Sequence, residues 1–357
     1  MKTKLVYVVT STSEATYIEQ ALISTYSARY HNPDAWIVLI VDDLTNQLIE
    51  TTRSAILDYI SEKVVIEFDV SICIKERSRL LKTDVRNIID GDFLFIDCDT
   101  VVIRPLASVD DLSCDIGAVL GDHLYICEYE GSLCKNMNKN ANIIGWDIDT
   151  EKEYFSSGVM YVKDNELTRK LCGDWNRNWK EGWLKGVYAD QPALAKANIE
   201  MGHIIKRIDN RYNCIIYTQE TFFAEGYILH FSAYRNPSYL FSKRVLVYIK
   251  DNGLTPFIKY AIMNPLETMF PYDSTLKKYS MSDYFRLYKV LKKHTRSYSI
   301  EIDSEFHDFK ILSFFAPLVK KLLQKKCFSI ASIIMVLHKF GQINILKKSA
   351  VDNVCRK

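Results

Sequence analysis

Short apolar runs alternate with longer segments of helical periodicity along the first hundred residues. The apolar runs predict buried strands at residues 5–9, 35–41, 64–68 and 93–103. The segments between them, in which apolar side chains recur every three or four positions, predict helices at residues 14–30, 45–59 and 74–89. This alternation predicts an α/β domain with a mostly parallel, right-handedly wound sheet, which binds ligands at the carboxyl ends of its strands.

The pattern loosens after Pro105. Strands are predicted at residues 116–120 and 154–162, and helices at residues 166–183 and 188–197. Residues 122–153 are polar and rich in Asn, Tyr and Cys, which favours a loop or flap over a site. Within the first of these later helices, Trp175, Trp179 and Trp183 recur at helical spacing and predict a stripe that faces the core.

The composition is that of an ordinary folded protein, with 357 residues, 48% hydrophobic and 25% charged. The nine cysteines form no Cys-x-x-Cys pair and no cluster at zinc spacing, which favours a reduced, cytoplasmic setting. The N-terminal apolar run turns polar after a few residues and shows no cleavage pattern. A first strand is therefore a better interpretation than a signal peptide.

The formal net charge of +2 hides an asymmetry between the two parts of the chain. Residues 1–235 carry 25 Lys and Arg against 35 Asp and Glu, whereas the remainder carries 21 against 9. We therefore predict a domain at residues 1–236 and a basic, mainly helical extension at residues 237–357. Two interpretations of the extension stay open: helices lying on an anionic membrane surface, which fits its apolar residues better than nucleic acid does, and an appendage packed on the domain.

Two carboxylates interrupt the apolar run at residues 93–103. Asp97 and Asp99 are two positions apart, and side chains with that spacing point the same way in an extended chain. Because buried carboxylates need a compensating cation, the pair predicts a site for one divalent ion with open positions for substrate phosphates. Two alternatives stay open: ordinary turn carboxylates, and the nucleophile motif of haloacid-dehalogenase phosphatases, which normally lies on the first strand of its fold.

Five patterns follow one another in order between residues 4 and 235. They are residues 10–17 after the first strand, Phe95-Ile96-Asp97-Cys98-Asp99, Tyr154-Phe155-Ser156-Ser157-Gly158-Val159-Met160, Ala189-Asp190-Gln191-Pro192-Ala193-Leu194 and Leu229-His230-Phe231. In this order they resemble the GT-A glycosyltransferases of family 8, the group that includes glycogenin and bacterial lipopolysaccharide α-galactosyltransferases. The resemblance implies the GT-A fold, a Rossmann-like, mostly parallel sheet flanked by helices, ahead of the helical, basic extension.

The resemblance implies a metal site and a nucleotide site. Asp97, Asp99 and His230 would bind the ion, which is Mn²⁺ or Mg²⁺. Thr10 and Tyr17 would contact the nucleotide, with Tyr17 placed to stack on uracil. The family usually has Asp three residues before that tyrosine, where this chain has Glu14.

The resemblance also implies how the donor sugar is held. Arg79 and Lys82 match the basic segment that meets the sugar or its phosphates, and Ser156 and Ser157 would line the transferred sugar. The catalytic candidates are Asp190 and Gln191, which would lie beneath the anomeric carbon. After the histidine the family has a Gly and a Lys that clamp the diphosphate; Ser232-Ala233-Tyr234-Arg235 stands there, with Arg235 as the candidate cation.

Together these residues predict a metal-dependent transferase that moves a hexose from a nucleotide diphosphate sugar, with UDP-sugar favoured, to a glycan or glycolipid acceptor with retention of configuration. The expected location is the cytoplasm, with possible attachment to the cytoplasmic membrane face. A non-catalytic sugar- or lipid-binding protein of the same fold and a phosphatase remain alternatives. From the residues alone, His230 and Tyr17 are also typical of packing residues, and Asp190 of a helix N-cap.

Overall fold

The computed structural model describes residues 1–129, 131–215, 226–232 and 240–265 of the chain. Its main sheet has seven strands, in the spatial order β3 (Glu62–Ile66), β2 (Ile37–Asp42), β1 (Lys4–Val9), β4 (Phe93–Ile96), β7 (Phe155–Val162), β6 (Ile116–Leu120) and β8 (Ile205–Arg207). A second, three-stranded sheet contains β5 (Thr100–Val102), β10 (Ile228–His230) and β9 (Cys214–Ile215), with β10 in the middle.

The first four strands of the main sheet, β1 to β4, run parallel, as the alternation of strand and helix predicts. Strand β7 is antiparallel to both of its neighbours, β4 and β6, and β8 is parallel to β6. The predicted α/β fold of GT-A type, with a mostly parallel sheet flanked by helices, is therefore confirmed. Because β7 runs the opposite way, its first residues lie at the edge of the sheet where β1 and β4 end.

Helices cover both faces of the main sheet. They are α1 (Tyr17–His31), α2 (Asp43–Thr51), α3 (Ile74–Thr83), α4 (Val85–Ile88), α5 (Gly131–Ile144), α6 (Glu166–Leu184), α7 (Gln191–Glu200), α8 (Lys243–Asn252) and α9 (Pro256–Met263). Alternate residues of β1 enter two different cores, with Tyr7 on the α1 side and Val6 on the α6 side, as the period of two along a strand requires. The tryptophan stripe is confirmed as core, since Trp175 and Trp179 are buried beneath the sheet.

The predicted strand at residues 93–103 is wrong in one respect, because it is two strands in two sheets. Strand β4 ends at Ile96, and β5 begins at Thr100 and pairs with β10. The Thr100 hydroxyl donates to the Asp97 carbonyl at 2.8 Å, which closes the turn between the strands. Asp97 and Asp99 thus lie on a bend between the two sheets rather than on one extended strand.

Residues 122–153 are not a continuous loop, because they contain the 14-residue helix α5. Its buried residues Met137, Ala141 and Ile144 recur at helical spacing, a signal that the asparagine-rich composition outweighed in the sequence. The predicted helices at residues 45–59 and 74–89 are each divided. The first breaks before a 3-10 turn at Ser54–Tyr59, and the second breaks at Asp84 between α3 and α4.

The described part of the extension packs on the α/β domain. Leu246 and Ile249 of α8 and Ile258 of α9 belong to the same hydrophobic core as Ile18 of α1. Most of the extension lies outside the described residues, so the predicted unit at residues 237–357 stays a prediction. Among the helices that the structure describes, none combines the length and the apolarity that a membrane span requires.

Candidate active site

Polar side chains collect at the carboxyl edge of the main sheet, next to the junction with the second sheet. Asp97 follows β4 directly, and its backbone amide donates to the Gly158 carbonyl at the start of β7 at 2.7 Å. Strand β5 then carries the chain to β10, where His230 pairs with Thr100, and the Phe231 amide donates to the Asp99 carbonyl at 2.9 Å. The β4–β5 bend therefore brings Asp97 and Asp99 beside a histidine more than a hundred residues later.

Asp97, Asp99 and His230 form a group that fits a divalent ion. One carboxylate oxygen from each aspartate and one ring nitrogen of His230 lie within 4.8 Å of one another. The His230 Nε2 atom lies 3.2 Å from Asp99 Oδ1. Two carboxylates and one imidazole are a donor set that suits Mn²⁺ or Mg²⁺ and leaves positions for oxygen ligands from a substrate.

Gly158 provides the space that this group occupies. A Cβ atom at residue 158 would lie 2.5 Å from His230 Cε1 and 3.1 Å from Asp97 Oδ2. No side chain fits there without moving the histidine ring. Steric exclusion therefore explains why a glycine stands at this position of the Ser-Ser-Gly pattern. Two of the candidate metal ligands thus approach the Gly158 backbone closely.

A buried lysine joins the metal group to the catalytic candidate. Lys82 Nζ lies 2.9 Å from Asp97 Oδ1 and 3.4 Å from Asp190 Oδ2. Burial alone would lower the pKa of Lys82, but the Asp190 and Asp97 carboxylates outweigh it and raise that pKa. Burial raises the pKa of Asp97, and the positive charge of Lys82 only partly opposes this effect.

Asp190 is a buried carboxylate held in its charged form. The Ser157 hydroxyl donates to its Oδ2 atom at 2.7 Å, and Arg79 Nε lies 3.4 Å from its Oδ1 atom. Burial would raise the pKa of Asp190, but Lys82 and Arg79 outweigh burial and hold that pKa well below its usual range. Asp190 occupies the N-cap position of α7, as the alternative expects, but its side chain makes no capping hydrogen bond to that helix.

The residues predicted to bind the nucleotide and the diphosphate are not part of this cluster around Lys82. Thr10 follows β1, is buried, and donates from its hydroxyl to the Ile74 carbonyl at 3.3 Å. Tyr17 is the first residue of α1 and is 52% exposed. An electrostatic interaction links Tyr17 to Arg79, and it is weaker than those of Asp190, Asp97 and Asp99 with the same guanidinium. Arg235 lies outside the described residues.

A cavity of about 370 Å³ opens onto these groups. Lys82, Asp97 and Asp190 line one part of it, together with His230 and both serines of the Ser-Ser-Gly pattern. Gln191, the first residue of α7, lines another part, and its side chain packs against Gly121, where a Cβ atom would lie 2.6 Å from Gln191 Nε2. A further wall of the cavity is the face of α5 that carries Leu133, Asn136, Met137 and Asn140.

One residue of the site carried no signal in the sequence. Asn213, directly before β9, is fully buried, and its Oδ1 atom lies 2.9 Å from His230 Nδ1. Its Nδ2 atom donates to the Ser156 hydroxyl at 3.1 Å. No motif contains Asn213; only the pairing of β9 with β10 reveals its position.

The model of one protein family, Glycosyl transferase family 8, matches residues 91–236. The match spans Asp97, Asp99, the serine pair, Asp190 and His230, in the order from which the resemblance was inferred. The predicted resemblance is therefore confirmed, and the chain is a glycosyltransferase. The phosphatase alternative, which expects its aspartate motif on a first strand, does not fit a motif that follows β4.

Two solved glycosyltransferase structures are similar to this transferase. Mouse xyloside xylosyltransferase 1 in its apo form shares 12% identity at a TM-score of 0.43, over 64% of this chain and 97% of that chain. The galactosyltransferase LgtC in complex with donor and acceptor sugar analogues shares 15% identity at a TM-score of 0.44, over 64% of this chain and 86% of that chain. No curated protein matches the chain. The resemblance to family 8 rests on the match of the family model to residues 91–236.

Proposed function

We propose that this glycosyltransferase binds a UDP-sugar beside a Mn²⁺ or Mg²⁺ ion and transfers its hexose, with retention, to a glycan or glycolipid acceptor. The observation that carries the proposal is the convergence of Asp97, Asp99 and His230 on one point, with buried Lys82 between that point and Asp190. With a divalent ion on the carboxylates, the ion and Lys82 would together offer the positive charge that a diphosphate needs. When bound, the ion supplies positive charge that stabilises the leaving diphosphate.

The side chains around the ion divide the work on the donor. Lys82 keeps a positive charge beside the metal ligands, and Arg79 keeps one beside Asp190, so both favour an anionic leaving group. Asp190 is kept ionised and oriented by Ser157. A fixed carboxylate stabilises the positive charge that develops on the sugar ring as the diphosphate leaves, or attacks the anomeric carbon as a nucleophile.

The proposed nucleotide contacts lie at the start of α1. Tyr17 is exposed on the side of Arg79, so its ring is accessible for stacking on uracil. Thr10, the residue after β1, would contact the ribose or the phosphates. Arg235 remains a proposed phosphate ligand on sequence grounds.

We place the acceptor against the α5 wall of the cavity. Asn136 and Asn140 line this wall one helical repeat apart, beside the apolar Leu133 and Met137. Among the described residues neither amide makes a side-chain hydrogen bond, so both can bind sugar hydroxyls. The lysine and arginine that line the cavity, Lys82 and Arg79, are both paired with Asp190, and α5 adds no charged side chain to the lining, which favours an uncharged saccharide at this wall.

Metal-dependent donor binding is the first test. Asp99→Asn removes one charged ligand without a change of volume, and we expect it to abolish Mn²⁺-dependent UDP binding in calorimetry while circular dichroism stays unchanged. Asp111→Asn, an exposed aspartate, is the matched control and should bind like the wild type. Unchanged Mn²⁺ affinity in Asp99→Asn would sink the metal assignment. Hydrolysis of a UDP-sugar with Mn²⁺ and no acceptor then distinguishes the two hypotheses. An enzyme should hydrolyse the donor, whereas a non-catalytic binding protein should not.

The acceptor wall is tested separately. The double change Asn136→Ala and Asn140→Ala should raise the KM for uncharged methyl glycosides while acceptor-free hydrolysis of the donor stays the same. Asn138→Ala is the control, because this neighbouring amide donates to the Cys134 sulfur at 3.7 Å instead of lining the cavity. A rise in the donor KM instead would assign α5 to the transferred sugar.

The attachment to an anionic membrane is also a proposal. Lys320, Lys321, Lys325 and Lys326 lie amid apolar stretches of the extension, and attraction to anionic lipid is worth about 1 kcal/mol per lysine near the surface. We expect Lys320→Gln with Lys321→Gln to weaken binding to phosphatidylserine vesicles at low salt. Lys180→Gln with Lys185→Gln is the control. Full-length protein that ignores such vesicles would make the extension a packing element.

A further inference from the structure

Asn213 contacts the ring nitrogen of His230 that faces away from the aspartates. Its Oδ1 atom is 2.9 Å from His230 Nδ1, whereas His230 Nε2 faces Asp99 Oδ1 at 3.2 Å. The two ring nitrogens therefore have different surroundings, an amide oxygen on one side and the metal group on the other. An amide oxygen can only accept, so this contact requires that Nδ1 carries a hydrogen.

The orientation of the Asn213 amide is itself fixed. Its Nδ2 atom donates to Ser156 Oγ at 3.1 Å, and the Gly158 amide donates to the same oxygen at 3.2 Å. In the opposite orientation Nδ2 would face His230, which would remove the acceptor for the Nδ1 hydrogen. In the observed orientation the two donors to Ser156 Oγ are the Gly158 amide and Asn213 Nδ2, which leaves the amide oxygen of Asn213 to face His230.

The backbone holds Asn213 at the same place. Strand β9 begins at the next residue and runs parallel to β10, with Ile215 opposite His230. His123 Nε2 accepts the Ile215 amide hydrogen at 3.2 Å, which ties β9 to the segment after β6. The amide of Asn213 is therefore in place before any ion binds.

We propose that Asn213 is a positioning residue that keeps the hydrogen of His230 on Nδ1, so that Nε2 is available to the ion. The proposal rests on the metal site of the proposed function. A histidine ligand needs an unprotonated nitrogen directed at the metal, and the partner of its other nitrogen determines which nitrogen that is. Ser156, which the sequence assigns to the transferred sugar, then also acts through Asn213 on the metal ligand.

The share of the His230 hydrogen on Nδ1 can be measured without metal, where the Asn213 amide oxygen and the Asp99 carboxylate compete for that hydrogen. In the metal-free, full-length protein with ¹⁵N-labelled histidine, at a pH where the ring is neutral, long-range ¹H–¹⁵N correlation spectra should show a larger share on Nδ1 in the wild type than in Asn213→Leu. The spectrum of His230→Gln identifies its signals among the seven histidines. We expect Asn213→Leu to move the hydrogen toward Nε2, and Asn213→Asp, which keeps an acceptor oxygen, to restore Nδ1.

Metal affinity is the second readout. Loss of a group that orients a metal ligand costs about 10–100-fold in metal affinity, so Asn213→Leu should weaken Mn²⁺ binding in the presence of UDP by that factor. Asn213→Asp should regain most of the affinity. Asn178→Leu replaces an equally buried asparagine on α6 and should leave Mn²⁺ binding unchanged.

The two readouts separate this inference from the proposed function. A hydrogen on Nε2 in the wild type would overturn the role of Asn213, even if the leucine variant failed to fold. An unchanged tautomer together with unchanged Mn²⁺ affinity in Asn213→Leu would overturn it as well. A wild type that binds no Mn²⁺ would remove the metal site, and with it the proposal.

Discussion

The chain places two pairs of aspartates at the carboxyl ends of two parallel strands, β2 and β4, which flank β1, and the two pairs have opposite characters. After β2, Asp42 accepts from the Thr45 amide and from Arg77 Nη1, both at 3.0 Å, and Asp43 accepts from the same guanidinium nitrogen at 2.9 Å. Arg77 also donates to two backbone carbonyls and is 1% exposed. This pair does not line the cavity and is closed by a permanently charged partner, with Asp42 fully buried and the Asp43 side chain 34% exposed.

The pair after β4 is open. The side chains of Asp97 and Asp99 are 28% and 23% exposed, and both line the cavity. Their partners are Lys82 and His230, and the histidine nitrogen that faces Asp99 is one that can also bind a metal. Two acidic pairs at equivalent strand ends therefore differ in function because of the cation that neutralises them and the access of ligands to them.

The sharpest way to break this comparison is to remove the cation of the closed pair. Arg77→Met should destabilise the protein by about 3–5 kcal/mol, because it leaves two carboxylates without their buried counter-charge. The folded fraction should bind Mn²⁺ and UDP like the wild type. Urea unfolding measures the first effect and calorimetry the second. Lys170→Met, which removes an exposed pair with Asp174, is the control and should cost at most about 1 kcal/mol.

A buried histidine provides a second contrast, because here burial outweighs its polar contacts. Burial lowers the pKa of His123 from 6.5 to about 4. Between those values the unfolded chain binds more protons than the native protein, so the free energy of unfolding should fall as the pH drops through this window, by up to about 3 kcal/mol. His123→Gln should lack this part of the acid loss in urea unfolding at pH 7 and pH 4. An identical pH dependence in both proteins would contradict the assignment.

Turnover separates the open site from the closed pair. Asp190→Asn should lower kcat by about 100-fold or more, because a group that acts mainly in the transition state affects turnover and not binding. UDP affinity should change little. Asp42→Asn is the comparison variant: it should lower the stability of the protein and leave kcat per folded molecule unchanged. Loss of UDP binding with normal turnover at saturation in Asp190→Asn would reverse the assigned role.

Local patterns predicted most of the sheet. Strands β1, β2 and β7 were predicted from short apolar runs. A strand that is buried on both faces is a continuous apolar run, which can be recognised from the local sequence alone. The break between β4 and β5 could not be predicted, since it depends on the pairing of β5 with β10, more than a hundred residues later. Helix α5 was missed because its asparagines are typical of loops, although its buried face has helical spacing.

The residues of the candidate site also fall into those that local motifs predict and those that only the fold reveals. Asp97, Asp99, Asp190 and His230 were found through the order of motifs, and the structure brings them together around Lys82. Asn213 was missed because its contact with His230 is made by side chains from separate strands. Asp42 has the same sequence context as Asp97, and only the geometry of Arg77 shows that it is structural.

The smallest predicted effect tests the packing of the open site directly. A methyl group at residue 158 would lie 2.5 Å from His230 Cε1, so Gly158→Ala must displace the ring that Asn213 holds. We expect Mn²⁺ affinity in the presence of UDP to fall by about tenfold or somewhat more, as when a metal ligand loses its orientation. Gly173→Ala is the matched control: nothing lies within 4 Å of a Cβ at this helical position, and the change should stabilise the protein by about 0.5–1 kcal/mol. Equal Mn²⁺ affinity in the two alanine variants would mean that His230 is not held against Gly158 when it binds the ion.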